Sequence, residues 1–128
     1  MDNKQKNEIK VSFFYTDEDI LDIVVTALEG GVGYWACLDN DNDDFDAKPE
    51  DVPTSVWCWQ LLRQGKEIRF LDADDPDEAE YHLDLNTFLC GIGKAIESNV
   101  WDGDMDILDA EVADAIFQYA IFDDIIYG

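Results

Sequence analysis

Basic residues are scarce in this chain. Eight Lys and Arg stand against 31 Asp and Glu in 128 residues, a formal net charge of −23 at pH 7. Binding to DNA or RNA through phosphates needs a dense basic surface that releases counterions, so direct nucleic-acid binding is excluded as a function class. Attraction to an anionic membrane leaflet is disfavoured for the same reason. No apolar run approaches the ~18 residues of a membrane span. Met1 to Lys10 is polar and lacks the apolar stretch of a signal peptide, so secretion is not expected. Cysteine is sparse and odd in number: Cys37, Cys58 and Cys90, with no Cys-x-x-Cys pair. That usage suits a reduced, cytoplasmic protein and argues against a disulfide scaffold or a zinc site. His82 is the lone histidine. No nucleophile elbow, phosphate loop or His-Glu-x-x-His motif is present. The expectation is a non-enzymatic protein without cofactor or metal.

What is abundant is carboxylate on a chain that can still fold. Apolar residues make up 47%, and a chain of this size buries roughly two-thirds of its unfolded surface, which argues against disorder despite the charge. Asp outnumbers Glu 22 to 9, and because Asp is the poorer helix former the acids belong mainly in loops and helix starts. They cluster. Residues 39–51 hold seven acids and one Lys, residues 72–80 hold six acids and no base, and residues 95–128 hold nine acids and no base. Solubility in a salty cytoplasm or plain acidic loops would account for this. The sharper reading is that the negative surface is itself the function, attracting a basic surface built to hold nucleic acid.

Lys10 to Tyr15 is β-branched and aromatic, and predicts a first strand. Thr16 or Asp17 then caps a helix with an apolar stripe of Ile20, Leu21, Val24, Val25 and Leu28. Gly30-Gly31 stops it. Tyr34 to Leu38 predicts a second strand, followed by an acidic loop. Ser55 to Gln64 predicts a helix. Lys66 to Leu71 and Glu80 to Asp84 alternate as an antiparallel hairpin with a longer loop. Asp84 caps a helix carrying Leu85, Phe88, Leu89, Ile92 and Ile96 on one face, and Asp109 caps a last helix from Ala110 to about Phe122. Ile125 to Tyr127 predicts a short closing strand. The whole reads as one α+β domain over residues 10–128, an antiparallel sheet with about three to four helices. Residues 1–9 form a polar N-terminus whose order is left open. Ile68, Phe70, Tyr81, Leu83, Phe88, Ile92, Ile116 and Phe117 are expected in the core.

Candidate chemistry is thin. Asp39, Asp41, Asp43 and Glu50 match positions 1, 3, 5 and 12 of a calcium loop, but Asp44 stands where Gly belongs and Asp46 where an apolar residue belongs. No specific calcium site is expected there. Asp102, Asp104 and Asp106 repeat the spacing with Ala113 at position 12. Glu80, His82 and Asp84 share a strand face that Arg69 can balance, which describes a solvated surface. Gly30-Gly31-Val32-Gly33 follows a helix, whereas a phosphate cradle must precede one, so it reads as a helix stop and tight turn. Tyr34, Trp35, Trp57 and Trp59 read as core more than as a ligand cage, and Cys58 as a small buried filler.

Two segments resemble a known family. Ala27-Leu28-Glu29-Gly30-Gly31-Val32-Gly33-Tyr34-Trp35 looks like the A-x-x-G-G-(I/V)-G-Y-W signature of small proteins encoded by phages and mobile elements of Gram-positive bacteria. Asp109 to Phe122, with the final Ile126-Tyr127-Gly128, looks like the same family's D-A-x-x-A-D-x-I-x-Q-Y-A-(L/I)-F tail. Where that tail usually continues with Gly, this chain has Asp123. The resemblance implies a phage or mobile-element setting, where small acidic proteins are often inhibitors of host defence, and is silent about chemistry. The lead expectation is a nucleic-acid mimic that inhibits a basic, nucleic-acid-binding host defence protein of the CRISPR or restriction type. Its partner-binding residues would be Asp39, Asp41, Asp43, Asp44 and Asp46, with Asp102, Asp104, Asp106, Glu111 and Asp114. The alternatives are a small-ligand module using the corner of Gly31, Gly33, Tyr34 and Trp35, and an acidic structural protein of a phage. A homodimer is left open.

Overall fold

The computed structural model describes residues 5–128; the first four residues of the polar N-terminus lie outside them. Thr16 opens helix α1 (Asp17–Thr26) with a reciprocal cap: its hydroxyl accepts from the Asp19 N–H and the Asp19 carboxylate accepts from the Thr16 N–H, both at 3.1 Å. Asp17, Glu18 and Asp19 lie in the first turn, at the positive end of the helix dipole. The helix widens into one π turn, Ala27–Gly31, before the chain turns into strand β1 (Ala36–Leu38). A one-turn helix α2 (Asp43–Asp46) follows, capped by Asn42, and then α3 (Thr54–Arg63). Strands β2 (Ile68–Asp72) and β3 (Glu80–Leu83) lead into α4 (Leu85–Glu97), which Asp84 and Thr87 cap reciprocally. A 3₁₀ turn, Met105–Ile107, precedes α5 (Ala110–Phe122), where Asp109 accepts from the Val112 N–H at 2.8 Å.

The sheet is antiparallel, in the order β1-β2-β3. Leu38 lies opposite Phe70, Phe70 opposite Tyr81, and Ile68 opposite Leu83. The inward face of this register packs on the helices. Ile68, Phe70, Leu83, Phe88, Ile92, Ile116 and Phe117 are buried, as expected. Tyr81 is half-buried. Phe117 meets both Phe70 and Phe88 edge-to-face, the arrangement the aromatic quadrupoles favour. On the outward face Arg69 bridges Glu80 at 2.8 Å and Asp39 at 2.9 Å, and His82 contacts Glu67 at 2.6 Å. This is the balanced, solvated surface that the alternation implied. Helices α4 and α5 touch through Gly91, where a Cβ would sit 2.6 Å from the Ile116 carbonyl oxygen.

The α+β class and the hairpin follow the sequence expectation, and four details do not. Lys10–Tyr15 runs without strand pairing and is not a strand. The second strand begins at Ala36 because the Trp35 and Ala36 N–H groups bond back to the Val32 carbonyl, which spends Tyr34 and Trp35 on a turn. The acidic stretch is not all loop, since Asn42 supplies a cap and Asp43–Asp46 makes one helical turn. Ile125–Tyr127 is not a strand: the Ile126 and Tyr127 amides are taken by the Gln118 side chain and the Ile125 amide by Asp124.

Candidate functional site

The two motif segments, 80 residues apart in sequence, meet in space. Gly31 makes this approach feasible. A Cβ there would lie 2.8 Å from the Ala110 carbonyl oxygen and 3.4 Å from the Asp114 N, so only glycine lets the π turn seat against the start of α5. That contact delivers Tyr34 and Trp35 to one carboxylate. Asp114 accepts from the Tyr34 hydroxyl at 2.5 Å, from the Trp35 indole N–H at 2.7 Å and from the Gln118 amide at 3.0 Å. Asp114 and Gln118 are four residues apart on α5, hence on one face. Gln118 in turn accepts from the Ile126 and Tyr127 N–H groups, both at 2.9 Å. The tail it holds lays the Tyr127 ring parallel to Trp35, centroids 5.3 Å apart. Burial first, and then the hydrogen bond to Asp114, pushes the Tyr34 phenol up to about 12, so it remains a donor at neutral pH.

This network borders a cleft of about 680 Å³ whose wall includes Gly31, Tyr34, Glu111, Asp114, Gln118 and Tyr127. Of the four residues expected for a ligand corner, Gly31 and Tyr34 line the cleft. Gly33 does not, and Trp35 is 2% exposed and sits in the core. Trp35 has a packing role: it is the aromatic floor under Tyr127 and the donor that holds Asp114. Gln118 and Tyr127 are the residues that sequence reasoning missed. The signal available was the spacing of Asp114 and Gln118, which reads equally well as a pair on the polar face of a helix.

The acids divide by what they touch. Asp114 is 8% exposed and saturated by neutral donors, so it does not belong to a partner-facing surface. Asp39 keeps only 17% of its side chain exposed and pairs with Arg69. Asp44 pairs with Lys66 at 3.5 Å. Asp41, Asp43 and Asp46 are exposed beside them. Asp102, Asp104, Asp106 and Glu111 are exposed as well. In that run the inward residues are Trp101, which is buried, and Met105 and Leu108, which are half-buried, while the carboxylates face out. The Asp102 carboxylate accepts from the Asp104 N–H and the Asp104 carboxylate from the Asp106 N–H, both at 2.9 Å. With Asp109 capping α5, three of the four outward acids from Asp102 to Asp109 are thus tied to the main chain, Asp106 being the exception. The same loop presents the Gly103 carbonyl to the Tyr15 hydroxyl at 2.8 Å. Burial, then the nearby charges of Asp19, Asp102 and Asp104, raises the Tyr15 phenol.

The bases are committed elsewhere. From Lys48 onward each one is engaged within the chain: Lys48 on the Pro49 and Val52 carbonyls, Arg63 with Asp17, Lys66 with Asp44, Arg69 with Asp39 and Glu80, and Lys94 with Asp123. Among the described residues, no group of three or more His, Cys, Asp or Glu converges to hold a metal ion. The calcium-like spacing is interrupted where Asp39 turns to Arg69 and Asp43 enters α2. Cys58 is fully buried, as the filler role requires, and burial pushes its thiol up to about 12. Among the described residues, no helix is long and apolar enough to cross a membrane. Neither a protein-family model, nor a curated protein, nor a solved structure matches the chain.

Proposed function

We propose that the protein is a non-enzymatic nucleic-acid mimic, made by a phage or mobile element and acting in the cytoplasm of its bacterial host. Its target would be a basic, nucleic-acid-binding defence protein of the CRISPR or restriction type. The observation that carries this reading is the run Asp102, Asp104, Asp106 and Asp109, outward-facing and in large part anchored by main-chain N–H groups, in a final 34 residues that contain no base. Carboxylates that serve only solubility need no fixed direction. Carboxylates that imitate phosphates gain from it, because ordering a charge in advance removes that entropy loss from binding. Duplex DNA presents one charge per ~1.7 Å of axis, and a groove evolved for that density is drawn to a fixed acidic row. Asp41, Asp43 and Asp46 add a second patch. The mechanism is competition: the acids occupy the partner's nucleic-acid groove and no covalent step is needed.

The test is capture from a Gram-positive host lysate, followed by binding of the retained protein across a salt series. Screening shortens from ~10 Å at 0.1 M to ~3 Å at 1 M, so affinity should fall steeply. The partner's own nucleic acid should displace the complex. Changing Asp102, Asp104 and Asp106 together to Asn should weaken binding while leaving the fold intact, since Asn retains the side-chain oxygen that accepts these turn bonds. Salt-independent binding, or simultaneous binding of nucleic acid, would overturn mimicry. A second reading, a small-ligand module, draws on the cleft beside Tyr34 and Asp114. A small molecule that co-purifies with the protein and is lost in Tyr34→Ala would favour it.

A further inference from the structure

We propose that the cleft beside Tyr34 receives an arginine side chain of the basic partner, its guanidinium stacked on the Tyr34 ring and paired with Glu111. This rests on the mimicry reading, which supplies the partner, and adds the place where one of the partner's side chains is held. That place is continuous with the acid row. Asp109, the last member of the row, lines the cleft of about 680 Å³ together with Glu111 and Tyr34. The volume falls within the range of pockets that bury a guest. Sign is the first feature that specifies the guest. The ionisable side chains on the cleft wall other than tyrosine are Asp109, Glu111 and Asp114, all acids. Among the described residues neither Asp109 nor Glu111 meets a base, and every base from Lys48 onward is engaged elsewhere. The first turn of α5 opposes a cation with a partial charge of about half a unit, which the two full charges of Asp109 and Glu111 at the same helix end outweigh.

The second feature is aromatic. Tyr34 lines the cleft and stays half-exposed while Asp114 and Gln118 hold its hydroxyl, so the ring is positioned before any guest arrives. The face of such a ring attracts a cation, and fixing it in advance lowers the cost of binding. The third feature is the apolar wall, which includes Val100 and Ile125, both partly exposed. An amphipathic cation satisfies all three: its methylene stem lies on the apolar wall while the charged head reaches the carboxylate. Arginine does so better than lysine. Its guanidinium is planar enough to stack, forked to meet a carboxylate at two points, and more weakly hydrated than an ammonium. Asp114, already saturated, acts from beneath by holding Tyr34 and does not touch the guest.

Amide NMR of the full chain in about 0.15 M salt, titrated in turn with N-acetyl-arginine amide, its lysine analogue and its neutral citrulline analogue, reads the outcome. The expected result is saturable arginine binding at a Kd of about 1 mM, with shifts centred on Gly31, Tyr34 and Glu111. Lysine should bind more weakly and citrulline not at all. Glu111→Gln, at an exposed position that the fold does not depend on, should weaken arginine about tenfold. Tyr34→Leu should weaken it at least about threefold. Asp102, Asp104 and Asp106 changed together to Asn should leave this titration unchanged while weakening capture of the partner, so the cleft and the row fail separately. Shifts spread evenly over all the acidic patches, an equal response to citrulline, indifference to Glu111→Gln, or inorganic phosphate taking the cleft instead would overturn the proposal and leave mimicry standing. Arginine in the cleft of a protein that retains no basic partner would overturn the partner as its source, and mimicry with it.

Discussion

Removing the Asp114 carboxylate tests whether one buried acid holds the two motif segments and the tail together. In Asp114→Ala the Trp35 indole N–H, in the core, loses its 2.7 Å acceptor and has no water to replace it. Gln118 loses its 3.0 Å bond but keeps the Tyr127 carbonyl at 3.3 Å. Tyr34 as a residue is 52% exposed, so of the three donors it is the one nearest to solvent. Hydrogen bonds to a charged acceptor contribute about 1.5–3 kcal/mol each, and an orphaned buried donor costs about 1–3 kcal/mol. These terms are not additive, and the expected loss is about 3–4 kcal/mol. In Asp114→Asn the side-chain oxygen still accepts from Trp35 and Gln118, and the amide finds the Tyr34 oxygen, so the expected loss is under about 1.5 kcal/mol. A domain stable by about 5–15 kcal/mol survives both changes. Urea unfolding followed by tryptophan fluorescence separates them, because at a slope of about 1–3 kcal/mol per molar the Ala variant's midpoint falls by more than about 1 M. Near-ultraviolet circular dichroism should lose the Trp35–Tyr127 contribution in the Ala variant alone. If Asp114→Ala stays within about 1 kcal/mol of the parent, the clamp does not exist. If Asn is as damaging as Ala, the charge matters and the hydrogen-bond geometry does not.

Gly91→Ala should destabilise by about 2 kcal/mol, the clash with the Ile116 carbonyl and Ala120 outweighing the gain in helix propensity, whereas Gly93→Ala, with open space around it, should stabilise by about 0.5–1 kcal/mol; equal effects in urea melts would refute the close approach of α4 and α5. Asp123 closes α5 in the left-handed region at φ 61° and pairs with Lys94 on an exposed surface. Asp123→Gly should raise the thermal midpoint by about 1–3 °C, because relief of the backbone exceeds a surface ion pair; a fall would refute this. Asp72 accepts from the Asp75 and Asp74 N–H groups and the Tyr81 hydroxyl, which together hold its carboxyl below the usual 3.8. A lowered folded-state pKa means stability that is present above about pH 4 and lost as pH falls through the lowered value. The urea midpoint of Asp72→Asn should therefore decline less than the parent's in that acid window, and parallel declines would refute the assignment.

Much of the local structure was legible in the residues themselves. Asp84, Asp109 and Thr16 each supply a side-chain oxygen to the N–H three residues on, a requirement met within one turn, and all three cap a helix where the pattern placed one. The alternation of Ile68, Arg69 and Phe70 set which face of the hairpin is buried, because a strand has period two. The expectation that the chain lacks a phosphate-binding surface likewise came from net charge alone. Three matters needed the tertiary structure. Lys10–Tyr15 has every local property of a strand, but strand formation requires a neighbour, and among the described residues the fold offers it none. Ile125–Tyr127 differs in kind: a glutamine side chain from α5 meets its amides before any strand does. Asp114 looks in sequence like eight other acids of the last 34 residues. What separates it is the glycine at position 31, which brings an indole and a phenol from far along the chain to its two oxygens, and such long-range contact leaves no periodic trace for sequence to show.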